Sequence, residues 1–226
     1  MKIVIFEPHP DDLLFGPGPI LLDWIKEGHE IHVITVTDGR ACCRAGADVF
    51  SPEIKDLSED GIAQMRTNEA KQSIKYLGIP ANQHHLLGFH DADGQKFVKE
   101  GIDKVKPLLI GVDRLVLSST NNMHEDHQAS HDIALGAAKE LNLTDIEYFV
   151  FFITSYGRFQ DDSKDKQFAF PISDECRKNL FEWYVIYKSQ SCFKYTNKMY
   201  LGYLKKVESM TYGVFNWKDI GKYYNF

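Results

Sequence analysis

Two short stretches of this sequence hold side chains able to bind a divalent cation and to move protons. The first is His9-Pro10-Asp11-Asp12, which follows an apolar run at Ile3-Val4-Ile5-Phe6, and the second is His124-Glu125-Asp126-His127. An imidazole and a carboxylate three positions apart form half of a common metal-ligand set. Pro8 and Pro10 fix φ around His9 and disfavour helix before them, so the turn presents its polar groups from a stiff backbone. Alone, the first cluster reads equally well as a solvated turn in which Asp12 caps the next helix. The second cluster changes that reading if the fold brings the two together.

The elements that would do so are readable. Residues 3–6 are apolar without alternation, as a strand buried on both faces is. The same reasoning predicts further strands at 31–36, 85–88, 113–118 and 146–154, with helices at 20–27, 59–77, 97–110, 127–141, 173–188 and 193–206. Asn121, Asn122 and Asp126 are the cap candidates for the helix after the second cluster. Long polar loops are expected at 39–58, on the rim of a site, and at 155–171. The aromatic tail at 212–226 has no readable packing. Strands alternating with helices predict an α/β fold: a Rossmann-like, doubly wound, mostly parallel sheet with helices on both faces, one domain over 1–226.

In such a sheet the strand order runs 3-2-1-4-5, so strands one and four are neighbours, and ligands bind where the winding reverses. Both clusters follow the carboxyl ends of those two strands. Three protein ligands and an open position are the arrangement of a catalytic zinc, which implies a His/Asp/His set. A carboxylate that takes the proton of the bound water and a charged second histidine that steadies an oxyanion would then make a metal-assisted amide or ester hydrolase. Asp11 and His124 are spare groups of those kinds.

Bulk properties narrow the class. With 226 residues, 43% of them hydrophobic and 26% charged, the chain suits one large core. A net charge of -6 and a pI near 5.8 argue against nucleic acid or an anionic membrane as partner and favour a small neutral or cationic ligand. The longest apolar run, 148–153, is far short of a membrane span, and no secretory leader is evident, so a cytoplasmic protein is expected. Cys42, Cys43, Cys176 and Cys192 show no paired spacing and read as free thiols. Arg66 and Glu69 read as an exposed helical pair, and His131, one turn beyond His127, as a backup ligand. Gly16-x-Gly18 raises a nucleotide-binding alternative, but Leu21 stands where the third glycine belongs and Pro17 and Pro19 remove backbone donors.

Pro8-His9-Pro10-Asp11-Asp12 with His124-Glu125-Asp126-His127 resembles the signature pair of the PIG-L/LmbE-like zinc-dependent N-deacetylases. Weaker matches are Gly28-His29, Thr37-Asp38-Gly39, Arg66-x-x-Glu69, Leu77-Gly78, Gly88-Phe89-x-Asp91 and Lys188-Ser189-Gln190, so the resemblance spans about 1–190. It implies one Zn2+ per chain on His9, Asp12 and His127, with Asp11 as general base and His124 stabilising the tetrahedral intermediate and helping the amine leave. It also implies that Asp126 orients a histidine and that Arg66 and Asp91 contact sugar hydroxyls. The implied substrate is a small N-acylated amino sugar, such as an N-acetylglucosamine unit of a glycolipid, a thiol glycoside, chitobiose or an antibiotic precursor. Homo-oligomerisation is compatible with this. One departure stands out: Leu13 replaces an acidic residue that usually closes the first motif.

Overall fold

The computed structural model describes residues 1–43, 54, 56–119, 123–153, 165–191 and 194–220. The opening apolar run becomes β1 (Lys2–Glu7), buried from Ile3 onward. The chain continues through α1 (Asp12–Phe15), α2 (Gly18–Lys26), β2 (Glu30–Thr37), α3 (Glu59–Tyr76), β3 (His84–Phe89), α4 (Val98–Val105), β4 (Arg114–Ser118), α5 (Glu125–Glu140) and β5 (Glu147–Phe151). After these come β6 (Gln167–Pro171), α6 (Asp174–Tyr184), α7 (Lys188–Ser191), α8 (Lys194–Lys206), β7 (Ser209–Phe215) and α9 (Trp217–Ile220).

Among the described residues seven strands form one sheet in the order β3-β2-β1-β4-β5-β7-β6. The first five pair in parallel in the expected 3-2-1-4-5 order, and β7 adds antiparallel to β5 and to β6. Alternate residues of β1 serve opposite faces. Ile3 and Ile5 pack with Leu21, Trp24, Ile74 and Trp183 from α2, α3 and α6, whereas Val4 and Phe6 pack with Val105, Ile133 and Ala137 from α4 and α5. Helices therefore cover both faces, and β1 reads as continuously apolar because neither face meets water.

Several boundaries differ from the sequence reading. The helix expected over 97–110 is α4 flanked by 3-10 turns at Gly94–Phe97 and Lys106–Leu109, because Pro107 lacks the N–H that an α-helical turn needs there. The helix expected from 173 to 188 stops at Tyr184 and resumes as α7. Part of the expected 155–171 loop and of the unreadable tail are the strands β6 and β7, each satisfied by a partner about forty residues away. The helix after the second cluster begins at Glu125 with His124 as its N-cap, which puts Asp126 inside the first turn; Asn121 and Asn122 lie outside the described residues. So do Cys192, the side chain of Cys43 and the loop stretches 44–53, 55 and 154–164, while Cys176 is a free thiol. Among the described residues no helix is long and apolar enough to cross a membrane.

Candidate metal centre and active site

β1 and β4 lie side by side with Ile5 opposite Val116, and the turns leaving their carboxyl ends meet. Asp12, at the start of α1, places Oδ2 3.1 Å from His9 Nδ1 and 3.3 Å from His127 Nε2. The backbone N–H of His9 also donates to this oxygen, at 2.8 Å, which fixes the turn on itself. The three donor atoms lie within 4.8 Å of one another. Ligands about 2.0–2.1 Å from a tetrahedral zinc stand roughly 3.3 Å apart, so a neutral imidazole pair bridged by one carboxylate has the chemistry and spacing to hold such an ion.

The other edge of the His9 ring is also engaged. Its Nε2 is 3.2 Å from Asp126 Oδ2 and 3.3 Å from Asp91 Oδ1. Asp126 is anchored in turn, with Oδ2 accepting the Ala92 N–H and Oδ1 the Gly94 N–H, both at 2.8 Å. Asp91 Oδ2 accepts the Ala41 N–H at 2.8 Å. His9, Asp91, His124 and Asp126 thus form a second cluster on the Nε2 side. Carboxylates holding the second N–H of a metal-ligating histidine are a recurrent arrangement, because they fix its tautomer and ring plane.

Charge follows burial and partners. Burial opposes a charge on His9, but Asp12, Asp126 and Asp91 override it and hold the pKa well above the usual imidazole range. Asp12 is held well below the usual carboxylate range by His127 and His9, against the effect of its burial. Asp11 goes the other way: burial, aided by Asp12, raises it despite the Arg66 guanidinium. His124 is lowered to about 4 by burial and by the charge of His9 and His127, so it is neutral near pH 7. Burial and the neighbouring imidazoles thus work against the charged form expected of this histidine. Nδ1 of His124 accepts the Asp126 N–H at 3.3 Å as the N-cap of α5, which leaves the ring proton on Nε2. A neutral donor of fixed tautomer is the result.

The structure thus gathers His9, Asp11, Asp12, His124, Asp126 and His127 at one place. Arg66 and Asp91 join them from behind: each is 3% exposed and bonded within the protein. Arg66 donates to Asp11 Oδ1 at 2.5 Å and to the Gly39 carbonyl at 3.0 Å. Its expected exposed pairing with Glu69 does not occur, because this face of α3 packs inward and Glu69, 4% exposed, accepts from Ser189 instead. Gly39 sits at φ +69°, and a Cβ there would stand 2.7 Å from the Arg66 guanidinium. His131 donates Nδ1–H to the Ser118 carbonyl at 3.1 Å and belongs to neither cluster.

Sequence reasoning missed two supports. Thr37 donates both its N–H and its hydroxyl to the Pro8 carbonyl, at 3.0 and 2.9 Å, which ties the end of β2 to the His9 turn. Glu7, buried in β1, accepts the Thr35 hydroxyl at 2.5 Å and the Leu13 N–H at 3.1 Å, while the Leu13 side chain packs into the core. The acid absent at position 13 therefore has a buried carboxylate beside its backbone, and burial pushes that carboxyl up to about 8. A lone carboxylate in an apolar strand was the available signal.

Known proteins resemble this chain in sequence or in fold. The 1D-myo-inositol 2-acetamido-2-deoxy-alpha-D-glucopyranoside deacetylase of Corynebacterium glutamicum is 26% identical over 160 residues, 62% of this chain and 53% of that one. The chain spans about half or less of the length of the curated relatives it matches. Among solved structures, the zinc-inhibited form of teicoplanin deacetylase Orf2 is similar over 97% of this chain and 100% of that one, with TM-score 0.69 and 16% identity. GalB, the 4-carboxy-2-hydroxymuconate hydratase of Pseudomonas putida, is similar over 94% of each chain with TM-score 0.53 and 13% identity. The fold therefore serves more than one reaction. The family described as PIG-L: GlcNAc-PI de-N-acetylase matches residues 4–138, a span that holds both clusters and the strands presenting them, and the chain belongs to that family.

Proposed function

We propose that the chain hydrolyses an N-acyl amide, an N-acetyl group on an amino-sugar conjugate, with one zinc ion held by His9 Nδ1, Asp12 and His127 Nε2. The observation carrying this is the single carboxylate oxygen of Asp12 set between two buried imidazoles where β1 and β4 end. When bound, the ion supplies Lewis acidity and lowers the pKa of water. Everything else falls to the chain's own side chains. Asp11 accepts the proton of the attacking water and then delivers it to the departing amine nitrogen as the C–N bond breaks. Arg66 fixes Asp11 for that transfer. Nε2–H of neutral His124 donates to the oxyanion that develops on the acyl carbon. Asp126 and Asp91 hold the far edge of His9, so the ring keeps its plane.

The hydratase on the same fold makes the site, not the fold, the ground for this reading. The family description and the acetamido-sugar substrate in the name of the curated relative favour an N-acetylglucosamine conjugate, such as an inositol glycoside. We treat residues 1–226 as one catalytic domain. The test is amine release from a panel of N-acetylated amino sugars, including N-acetylglucosaminyl inositol and N,N'-diacetylchitobiose, by zinc-loaded protein. Release that stops on chelation and falls at least about a hundredfold in Asp11→Asn is expected. No release from any member, or release that persists without metal, would contradict the reading.

A further inference from the structure

Away from the metal centre, two histidines face each other nitrogen to nitrogen. His32 on β2 and His85 on β3 stand on adjacent parallel strands, with His85 opposite Ile34 in the register. His32 Nδ1 is 3.4 Å from His85 Nε2, while the ring planes are 3° apart and the centroids 5.7 Å apart. The centroid separation exceeds the nitrogen separation by about the width of one imidazole ring, so both nitrogens lie on the line joining the centroids. The rings therefore share a plane and meet edge to edge, with neither lying over the other.

Glu30 sets the tautomer of this pair. Its Oε1 is 2.8 Å from His32 Nε2. A carboxylate there accepts the Nε2–H and leaves the Nδ1 lone pair turned toward His85, which donates its own Nε2–H. Burial, with the charge of His32 and Lys2, lowers the pKa of His85 and favours the neutral ring that such a bond uses. One proton fits between the two nitrogens, and its transfer to His85 Nδ1 leaves two lone pairs facing one point. Ligands on a tetrahedral zinc stand roughly 3.3 Å apart, so ring rotation without strand movement seats an ion. His29 gives the contrast: its Nε2 meets Glu27 at 3.0 Å, but among the described residues no imidazole stands opposite it.

We propose that His32 Nδ1 and His85 Nε2 bind a second divalent transition ion of the zinc or copper kind, with Glu30 orienting His32 and water completing the coordination. Imidazole nitrogens suit such ions, whereas magnesium and calcium call for oxygen. The pair is separate from the catalytic centre: Thr37, which ties β2 to the His9 turn, lies five residues beyond His32, about 16 Å along the strand. Two protein ligands hold an ion less tightly than three. This ion therefore clasps β2 to β3 when metal is abundant and leaves on dialysis, while the first ion stays. The proposal does not depend on the reaction assigned above.

Equilibrium dialysis of the full-length protein against rising Zn2+ tests this without any substrate. Wild type is expected to take up a weaker ion after the first, and His32→Ala and His85→Ala to saturate one ion lower. Glu30→Ala binds the weaker ion about tenfold less tightly, the scale of a lost outer partner, and His29→Ala matches wild type. A wild type that saturates no higher than His32→Ala, or a weaker ion that survives both histidine changes, overturns the proposal. If no first ion binds and the catalytic reading fails, the weaker ion is still present in wild type and still missing from His32→Ala. Should either variant fail to fold, ring-nitrogen NMR of wild type decides: His32 Nδ1 and His85 Nε2 must shift as the weaker ion binds, and unmoved signals overturn the assignment.

Discussion

His124 shows how little a residue type says until its backbone position is known. Its spacing in His-Glu-Asp-His allows a ligand, an acid or a bystander, and one N-cap bond from the Asp126 N–H decides the tautomer. A histidine lowered to about 4 is neutral across the range where the enzyme would work, so it donates a hydrogen bond without carrying a charge. His124→Ala is therefore expected to keep the ion, to lower kcat by roughly a hundredfold, the scale of one oxyanion donor, and to leave the shape of the rate profile between pH 6 and 8 as it was. Steady-state rates and metal content across that range check this. An emptied metal site would make His124 a ligand, and loss of an alkaline limb would mean that it works as imidazolium.

Among the elements, the five parallel strands and the site at the ends of β1 and β4 were legible because burial on both faces leaves unbroken apolar runs and two polar turns after them. β6 and β7 were not, since Gln167–Pro171 is a short, half-exposed strand that exists only because Ser209–Phe215 pairs with it. The inward face of α3 was illegible for another reason: an arginine and a glutamate three apart look alike in sequence whether water or Asp11 and Ser189 receive them. The loop after β3 depends on a residue nothing in the sequence marked. A Cβ at Gly94 would stand 2.5 Å from Asp126 Oδ1 and 3.0 Å from the Ala129 Cβ, so Gly94→Ala must push Asp126 away from His9. Zinc affinity about tenfold weaker by chelator competition is expected, and wild-type affinity would show that Asp126 does not orient His9.

α5 also carries His131, whose burial lowers its pKa from 6.5 to about 3. The unfolded chain takes up that proton near pH 6.5 and the folded chain does not, so the unfolded state binds more protons in between and stability falls as pH falls. The slope this group adds approaches about 1.4 kcal/mol per pH unit between those values. Denaturant unfolding of the zinc-free protein should show His131→Gln flatter than wild type from pH 6 to 4, and parallel slopes would contradict it.

At the scale of the whole molecule, the sheet separates two cores, and the site opens where the winding reverses between β1 and β4, held from one face by α3 and from the other by α5. The C-terminal third is no appendage: Trp183, Tyr187 and Tyr212 fill one core, and Ser189 reaches Glu69 beneath the site. The proposed function puts one ion at one edge of the His9 ring. Elemental analysis of purified wild type, His127→Ala, Asp12→Ala, Asp11→Asn and Asp126→Asn tests that directly. The account predicts about one zinc per chain in wild type, Asp11→Asn and Asp126→Asn, and little in His127→Ala and Asp12→Ala. Full occupancy in His127→Ala and Asp12→Ala, with the ion lost from Asp126→Asn, would place it on the Nε2 side of His9 and contradict the account.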